Sequence, residues 1–424
     1  MSKAVIVGGG VIGLLSAYEL ARRGVSVTLL DQGDFGAACS TGNAGWITPS
    51  LSGPVPAPGL VGTSLRWMLS RDSPLYIRPS AVPRLAPWLF EFWRHCNPRD
   101  YEAGLHATAE LGRHTFELFD KLSEHMDFEM HKAGMLFVCL KQESVKHIVD
   151  DVEAMRDYGY DSPTILSPKE LREFEPGISG PLEAAVWVKE DRHIRPESLM
   201  RGAVAWLQAN GVELRPGVEV TGFRRRGRQI TAVETRVGSF EADQVLIAAG
   251  AWTGRVAAKA GVRIPMTAGK GYNVTVQNSK VSLQHPLYLV DVRVAVSPYK
   301  GALRIAGTME LSGLNTILDT PRVDALRRGA NRYISGWDQG TAQTSWVGMR
   351  PMMPDGLLAL GSVPQYDNLF VASGHAMMGI SLGPSTAVTI AEYMTTGKSP
   401  VDLTPFNPVR FDQSFTGRLA GRLS

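Results

Sequence analysis

The stretch Ala4-Val5-Ile6-Val7-Gly8-Gly9-Gly10-Val11-Ile12-Gly13 decides how this chain is read. Its first four residues are apolar and rich in β-branched side chains, which predicts a buried strand. Glycines follow at 8, 10 and 13, and from about Ile12 to Arg23 good helix formers dominate until Gly24 stops them. Val25–Leu30 is a second apolar strand, and Asp31 stands at its end, 18 residues beyond Gly13. Gly8 permits a tight turn, Gly10 lets the backbone approach a pyrophosphate, and Gly13 lets helix and strand pack closely. The helix N-terminus offers free N–H groups and a partial positive charge to phosphates. Asp31 can accept a hydrogen bond from a ribose 2′-OH and disfavours a 2′-phosphate there, so NADP is not expected. Strand, glycines, helix, strand and acid predict a Rossmann-like dinucleotide site without choosing between NAD and FAD.

Composition narrows the classes around that motif. The chain has 424 residues, 44 % hydrophobic and 20 % charged, as a globular protein of two to four structural units requires. A net charge of +3 from 44 basic and 41 acidic residues supplies no field for nucleic acid, so no nucleic-acid partner is expected. Cys39, Cys96 and Cys139 are far apart and form no CxxC pair, and none of the nine histidines has metal-ligand spacing, so no metal is expected. The N-terminus carries no signal-peptide pattern and no run of about 20 apolar residues occurs, which predicts a cytoplasmic protein. No GxSxG elbow or Walker loop supports a hydrolase or ATPase.

Outward from the motif, residues 50–82 are rich in proline and serine. Residues 101–158 read as helical around a strand at Met135–Leu140, and Glu197–Asn210 as a helix ended by Gly211. Strand patterns fill 212–249: Val218–Val220, Ile230–Val237 and Val245–Ala248, the last running into Gly250 as a later strand of the nucleotide sheet. Arg224–Arg228 reads as a solvated hairpin tip. Tyr272–Val276, Val292–Val296 and Leu303–Ala306 predict an antiparallel second sheet; Arg322–Tyr333 a helix; Leu369–Ala372 a strand; Gly383–Met394 a helix. The expected class is α/β: a Rossmann-like nucleotide domain (1–50, 193–265 and 345–424) interleaved with an α+β substrate domain (51–192 and 266–344) that contains the antiparallel sheet.

Four segments carry a family resemblance: the N-terminal fingerprint; Ser40-Thr41-Gly42-Asn43-Ala44-Gly45; Gly348-Met349-Arg350-Pro351 with Pro354-Asp355-Gly356; and Gly374-His375 leading to Gly379 and Gly383-Pro384. They resemble the FAD-dependent D-amino-acid oxidase and dehydrogenase superfamily, and most of all its bacterial D-amino-acid dehydrogenases. Asp72–Tyr76 also looks like the dehydrogenase branch. The resemblance implies FAD. Gly8, Gly10, Gly13 and Asp31 would hold its ADP half, and Val218 would meet the adenine through its backbone. Ser40, Asn43, Ala44 and Gly45 would pass beside the isoalloxazine, and Gly250 and Gly348 are further cofactor-binding candidates. The segment Gly374–Ser381, including Met378, Gly379 and Ile380, would present N–H groups to the flavin's N1–C2=O edge, with His375 part of that cradle. Arg350 would clamp a substrate carboxylate through two parallel charge-assisted hydrogen bonds.

The chain departs from glycine oxidases at two points. Ala295 stands where they have a carboxylate-binding tyrosine, and Met377 where an arginine follows Gly-His-x. Tyr272 is the alternative hydroxyl donor, and Arg293 a candidate second cation. Met349, Met352, Met353, Met377 and Met378 suit either a tolerant pocket or ordinary core filling. The implied activity is oxidation of a D-amino acid by hydride transfer to flavin N5, giving a 2-oxo acid and ammonia, with electrons passed to a quinone or another acceptor. The alternatives are a D-hydroxyproline or cyclic-amine dehydrogenase, or a glycine/sarcosine-type oxidase using O2. Residues 84–95 read as an amphipathic helix, with Leu85, Trp88, Leu89 and Phe92 on one face widened by Phe90 and Trp93. Its two readings are peripheral contact with the inner membrane's cytoplasmic face or with quinone, and burial against the second domain. Leu65–Leu69 would share either role.

Overall fold

The computed structural model describes residues 2–60 and 73–412. Leu65–Leu69, Asp72 and the end of the chain from 413 lie outside them. Strand Lys3–Val7 is central to a six-stranded sheet with the order 213–215, 26–30, 3–7, 244–247, 369–373, 359–362. The first five strands are parallel, and Ala359–Ser362 closes the sheet antiparallel. Helix Val11–Arg22 packs on one face beside helices Pro196–Ala209 and Gly383–Thr396. Every residue from Val11 to Leu20 is buried, so this helix is apolar nearly all round rather than amphipathic.

Strands Val220–Arg226, Gln229–Thr235 and Gly238–Glu241 form a small antiparallel sheet. Its exposed arginines meet acids locally, Arg224 with Glu234 and Arg228 with Asp367, as a solvated hairpin tip should. Val218 precedes this sheet rather than opening it.

The second sheet has nine strands and is mixed. Its order is 342–352, 267–277, 302–311, 294–299, 287–289, 135–139, 184–188, 164–166, with Leu75–Ile77 added beside the end of 302–311. Helix Thr320–Asn331 and the buried Tyr333 and Trp337 pack on it. Leu287–Leu289 runs parallel to Met135–Cys139, so the sheet is not wholly antiparallel. Ala342–Met352 pairs along its full length with Thr267–Gln277, setting Gly269 opposite Arg350. The boundary expected at 345 therefore falls inside a strand. Gly348 to Met352 belong to the second sheet, and the chain rejoins the first sheet at Ala359. A three-stranded ribbon of 46–47, 192–194 and 130–131 spans the other expected junction near 193.

Helix Val82–Arg94 tolerates Pro87 and buries Leu85 and Trp88 against Leu311 and Met352. Trp88 stacks on Phe92 with ring centroids 5.3 Å apart, whereas Phe90 and Trp93 are 53 % and 55 % exposed.

Candidate active site

The first sheet ends in a cavity of about 410 Å³. At one end Gly8 takes φ +111°, and a Cβ there would lie 2.4 Å from the Ala248 carbonyl oxygen. A Cβ on Gly13 would lie 1.8 Å from the Gly8 carbonyl oxygen, so Gly13 is a packing glycine and not a lining one. Gly10 borders the cavity and precedes the helix in extended conformation without a side-chain cap. Ser40 Oγ accepts from the Val11 N–H at 2.9 Å. The Asp31 carboxylate accepts from Gly9 N (2.7 Å) and Gly33 N (2.8 Å). Burial pushes its pKa up, and those two backbone donors oppose the rise. Val218 donates its N–H to the Asp31 carbonyl (2.7 Å), which puts it at the same end of the cavity.

The lining also includes Ala249, which lies against Gly8, and Gly250–Trp252, Met349, Pro351, His375, Gly379 and Ile380. Gly250 (φ +52°) and Gly374 (φ +88°) occupy turns after neighbouring parallel strands, and Ser373 Oγ donates to the Gly250 carbonyl at 3.1 Å. Gly374 lies against Met353 and Leu358, off the cavity. Residues 376–382 are turns, and the helix begins only at Gly383. Met378 donates its N–H to the His375 carbonyl (2.7 Å) and packs on the main core. Burial drags the His375 pKa down to about 3, so its ring is neutral. One ring nitrogen meets Thr386 Oγ1 at 2.9 Å, and the other, Nδ1, is buried without a protein partner among the described residues.

This lining fits FAD. A helix start whose Val11 N–H is met by Ser40 but whose Gly10 border bears no side chain, and glycine turns, stand where phosphates need N–H donors. An acid and a backbone edge stand at one end of the cavity, and apolar walls with an unpartnered buried nitrogen belong to the same lining.

Arg350 lies beside the cavity, not among its lining residues. The Cys39 thiol, which does line the cavity, feels its charge: burial raises the thiol's pKa and Arg350 opposes the rise. Burial likewise lowers the Arg350 pKa. Arg350 Nη1 donates to the Thr308 carbonyl at 2.8 Å. Among the described residues no carboxylate comes within 4.0 Å of the guanidinium, so it is not a structural ion pair. Two features seat it. A Cβ on Gly271, in the neighbouring strand, would lie 2.2–2.4 Å from the guanidinium. Thr308 sits where the register with 267–277 shifts, at φ +57°, a strained conformation for a β-branched residue. On the same face the Trp346 indole lies over Gly348 and Gly42, either of which would collide with it if it carried a Cβ.

Tyr272 is on the opposite face of that strand. Its hydroxyl donates to Glu310 Oε2 (2.6 Å), and Lys270 Nζ lies 3.3 Å from Glu310 Oε1, all three fully buried. Burial, and after it the Glu310 carboxylate, raises the phenol's pKa far above its ordinary value. The reading of Tyr272 as a substrate hydroxyl donor is therefore corrected: alternation along the strand turns it away from Arg350. Arg293 is exposed at the start of strand 294–299 and does not line the cavity. Ala44 and Gly45 are tied to the second sheet and the ribbon, through the Ala44 carbonyl and through Gly45 O with Ile194 N (2.8 Å), and neither lines the cavity. Sequence reasoning did not find Gly271, Thr308 or Trp346. The alternating Gly269-x-Gly271 opposite Gly348-x-Arg350 is the one trace they leave.

A nucleotide-type parallel sheet, a glycine-bordered helix start and a cavity with a seated arginine beside it are the parts of a dinucleotide-dependent oxidoreductase. The chain belongs to the DAO family of FAD-dependent oxidoreductases, whose model matches residues 3–393. It is 29 % identical to a D-amino acid dehydrogenase of Methylobacterium nodulans over 94 % of this chain and 96 % of that one. A D-amino acid dehydrogenase of Vibrio cholerae is 28 % identical over 95 % of this chain and 97 % of its own. Among solved structures, glycine oxidase from Geobacillus kaustophilus superposes with a TM-score of 0.77 at 24 % identity, covering 97 % of this chain and 99 % of its own. L-proline dehydrogenase from P. horikoshii gives 0.76 at 21 % identity, covering 98 % of both chains. These two likenesses establish the fold. Among the described residues no helix is long and apolar enough to cross a membrane, and no cluster of three or more His, Cys, Asp or Glu is placed to hold a metal.

Proposed function

We propose that this enzyme oxidises D-amino acids to 2-oxo acids and ammonia, with electrons passed on to a quinone or another acceptor. The carrying observation is Arg350: it donates one hydrogen bond to Thr308, has no carboxylate partner among the described residues, and sits beside Cys39 at the cavity. Its Nε and Nη2 remain to bind a carboxylate side-on in two charge-assisted hydrogen bonds, which fixes both position and angle. FAD, when bound, accepts the hydride that leaves the substrate Cα. Orientation of that C–H is the protein's main contribution, and a substrate amine that arrives neutral needs no protein base. His375, buried and with its pKa drawn down to about 3, is too weak a base to take a proton from the substrate ammonium and serves the cradle instead. Water converts the imino acid to the 2-oxo acid and ammonia. The names of the relatives support the D-amino acid as substrate. The exposed Phe90 and Trp93 on helix Val82–Arg94, whose inner face packs beside Met352, support a lipid or quinone contact near the site.

The test is an anaerobic panel of D- and L-amino acids scored by loss of oxidised-flavin absorbance. Bleaching by D-amino acids such as D-alanine or D-proline, and not by their L-forms, is the expected result. No bleaching by any D-amino acid overturns the reading.

A further inference from the structure

Thr41–Ala44 has no strand or helix of its own, yet its four consecutive carbonyls are all held by side chains of the second sheet. Arg304 Nη1 donates to Thr41 O (2.9 Å) and Asn43 O (2.8 Å). Asn273 Nδ2 donates to Gly42 O (2.8 Å). Ser297 Oγ and Tyr299 Oη both donate to Ala44 O, each at 2.7 Å. These donors come from three adjacent strands and are all buried, Arg304 at 4 % and Asn273 at 1 % exposure. Arg304 is itself fixed by Thr275 Oγ1 (3.0 Å) and by Glu197.

A trans peptide points its N–H opposite its carbonyl. Turning these four carbonyls to the sheet turns the N–H groups of residues 42–45 away from it. Asn43 Oδ1 takes the Gly45 N–H at 2.7 Å. Among the described residues the N–H groups of Gly42, Asn43 and Ala44 have no protein acceptor. Asn43 borders the cavity together with Cys39 and Ser40. Successive free N–H groups form a concavity suited to negative charge.

We propose that Arg304, with Asn273, Ser297 and Tyr299, is a positioning residue for the flavin: it holds the 41–44 peptides so that Asn43, the residue among them that borders the cavity, turns its free N–H toward the ring, and so sets flavin affinity and potential. The inference rests on the reading that this loop passes beside the isoalloxazine. Donors fixed in advance, where negative charge gathers on reduction, stabilise the reduced state without reorganisation.

The test uses holoenzyme without substrate, so it is separate from the amino-acid panel. FAD dissociation, visible circular dichroism, midpoint potential and Tm are measured for R304M/E197Q, R304K and S297A/Y299F. The double variant at 304 and 197 is expected to hold FAD about tenfold more weakly or worse, with an altered visible spectrum and a lower potential. S297A/Y299F, which nearly preserves volume, is expected to weaken FAD by about threefold and to lower both potential and Tm, since the buried Ala44 carbonyl loses both donors and Trp46 Nε1 its acceptor. R304K is expected to fall between native and R304M/E197Q. Native affinity, spectrum and potential in folded variants would overturn the proposal, as would a lowered Tm with unchanged potential in the flavin that remains. If R304M/E197Q does not fold, S297A/Y299F decides.

Discussion

The two sheets build their halves of the site by different means. At the end of strand Lys3–Val7 the cradle is mostly local: Gly8, Gly10, Gly13 and Asp31 lie within 24 residues and meet the turn, the helix start and strand 26–30, although Gly8 also abuts Ala248 after strand 244–247. Along strand Thr267–Gln277 the site is assembled across the sheet. Arg350 is seated by Gly271 and Thr308, and loop 41–44 is held by residues more than 200 positions away. A local cradle is specified by residue type at fixed spacing. A sheet-borne site is specified by register, so a change of parity or one bulge decides which side chains take part.

That contrast sets an order of expected effects. Gly13→Val attacks the local half, where a Cβ would lie 1.8 Å from the Gly8 carbonyl oxygen and nothing flexible can yield. Loss of folded, flavin-bearing protein is expected, read from yield and flavin-to-protein ratio; a yellow, stable variant would break the comparison. Arg350→Ala attacks the assembled half. Flavin content and Tm should stay near native while kcat/KM for a D-amino acid falls about 30-fold or more. Near-native kinetics in a folded R350A would remove Arg350 from the site.

Gly271→Ala sharpens the point, because it touches substrate only through Arg350. KM is expected to rise about tenfold with a smaller change in kcat, and the substitution should add nothing in an R350A background. Tyr272→Phe, one residue along and on the other face, should leave KM unchanged. It should lower stability by about 1–3 kcal/mol, because the buried Glu310 loses a donor; a raised KM would restore Tyr272 to the site.

Asp191 stands apart from both, between strand 184–188 of the second sheet and strand 192–194 of the ribbon. It is fully buried between Ser50 Oγ (2.5 Å) and Tyr160 Oη (2.8 Å), and burial lifts its pKa to about 7 despite those donors. The folded pKa exceeds the unfolded one, so the contribution to stability is fully present below about pH 4 and is lost as pH rises through about 7. Asp191→Asn should flatten the fall in Tm between those limits; an unchanged pH profile would exclude this carboxyl as its source. The smallest effect expected is at helix Val82–Arg94. F90S/W93S removes its exposed rings without disturbing the buried Trp88, and should reduce co-sedimentation with anionic liposomes while leaving Tm unchanged. Equal sedimentation of both proteins would end the membrane hypothesis.

The parts legible beforehand were those with local causes. Helix Val11–Arg22 ends within a residue of the expected position because Gly24 lies just beyond it. Strand Leu369–Ser373 and helix Gly383–Thr396 match because an apolar run and a helix-forming run are separated by glycines. Short strands such as Thr164–Leu166 and Leu287–Leu289 were not legible, since three residues make no period. The 345 boundary failed because Gly348-Met349-Arg350-Pro351 was grouped with the glycine-rich segments after it, and nothing local marks it as the continuation of a long edge strand.

By itself the sequence determined a dinucleotide cradle, its acid, and an arginine in a recognisable setting, because glycine conformational freedom, helix starts and strand periodicity act over a few residues. Strand alternation even places Tyr272 and Gly271 on opposite faces, but only the folded sheet says which face meets the cavity. Tertiary structure alone decided that Gly271 makes room for Arg350, that Thr308 is strained into place beneath it, and that Trp88 turns inward while Trp93 turns out. It also decided that Arg304 reaches back to the 41–44 carbonyls. These contacts join residues far apart in the chain, and their energies come from register and burial, which no short stretch of sequence contains.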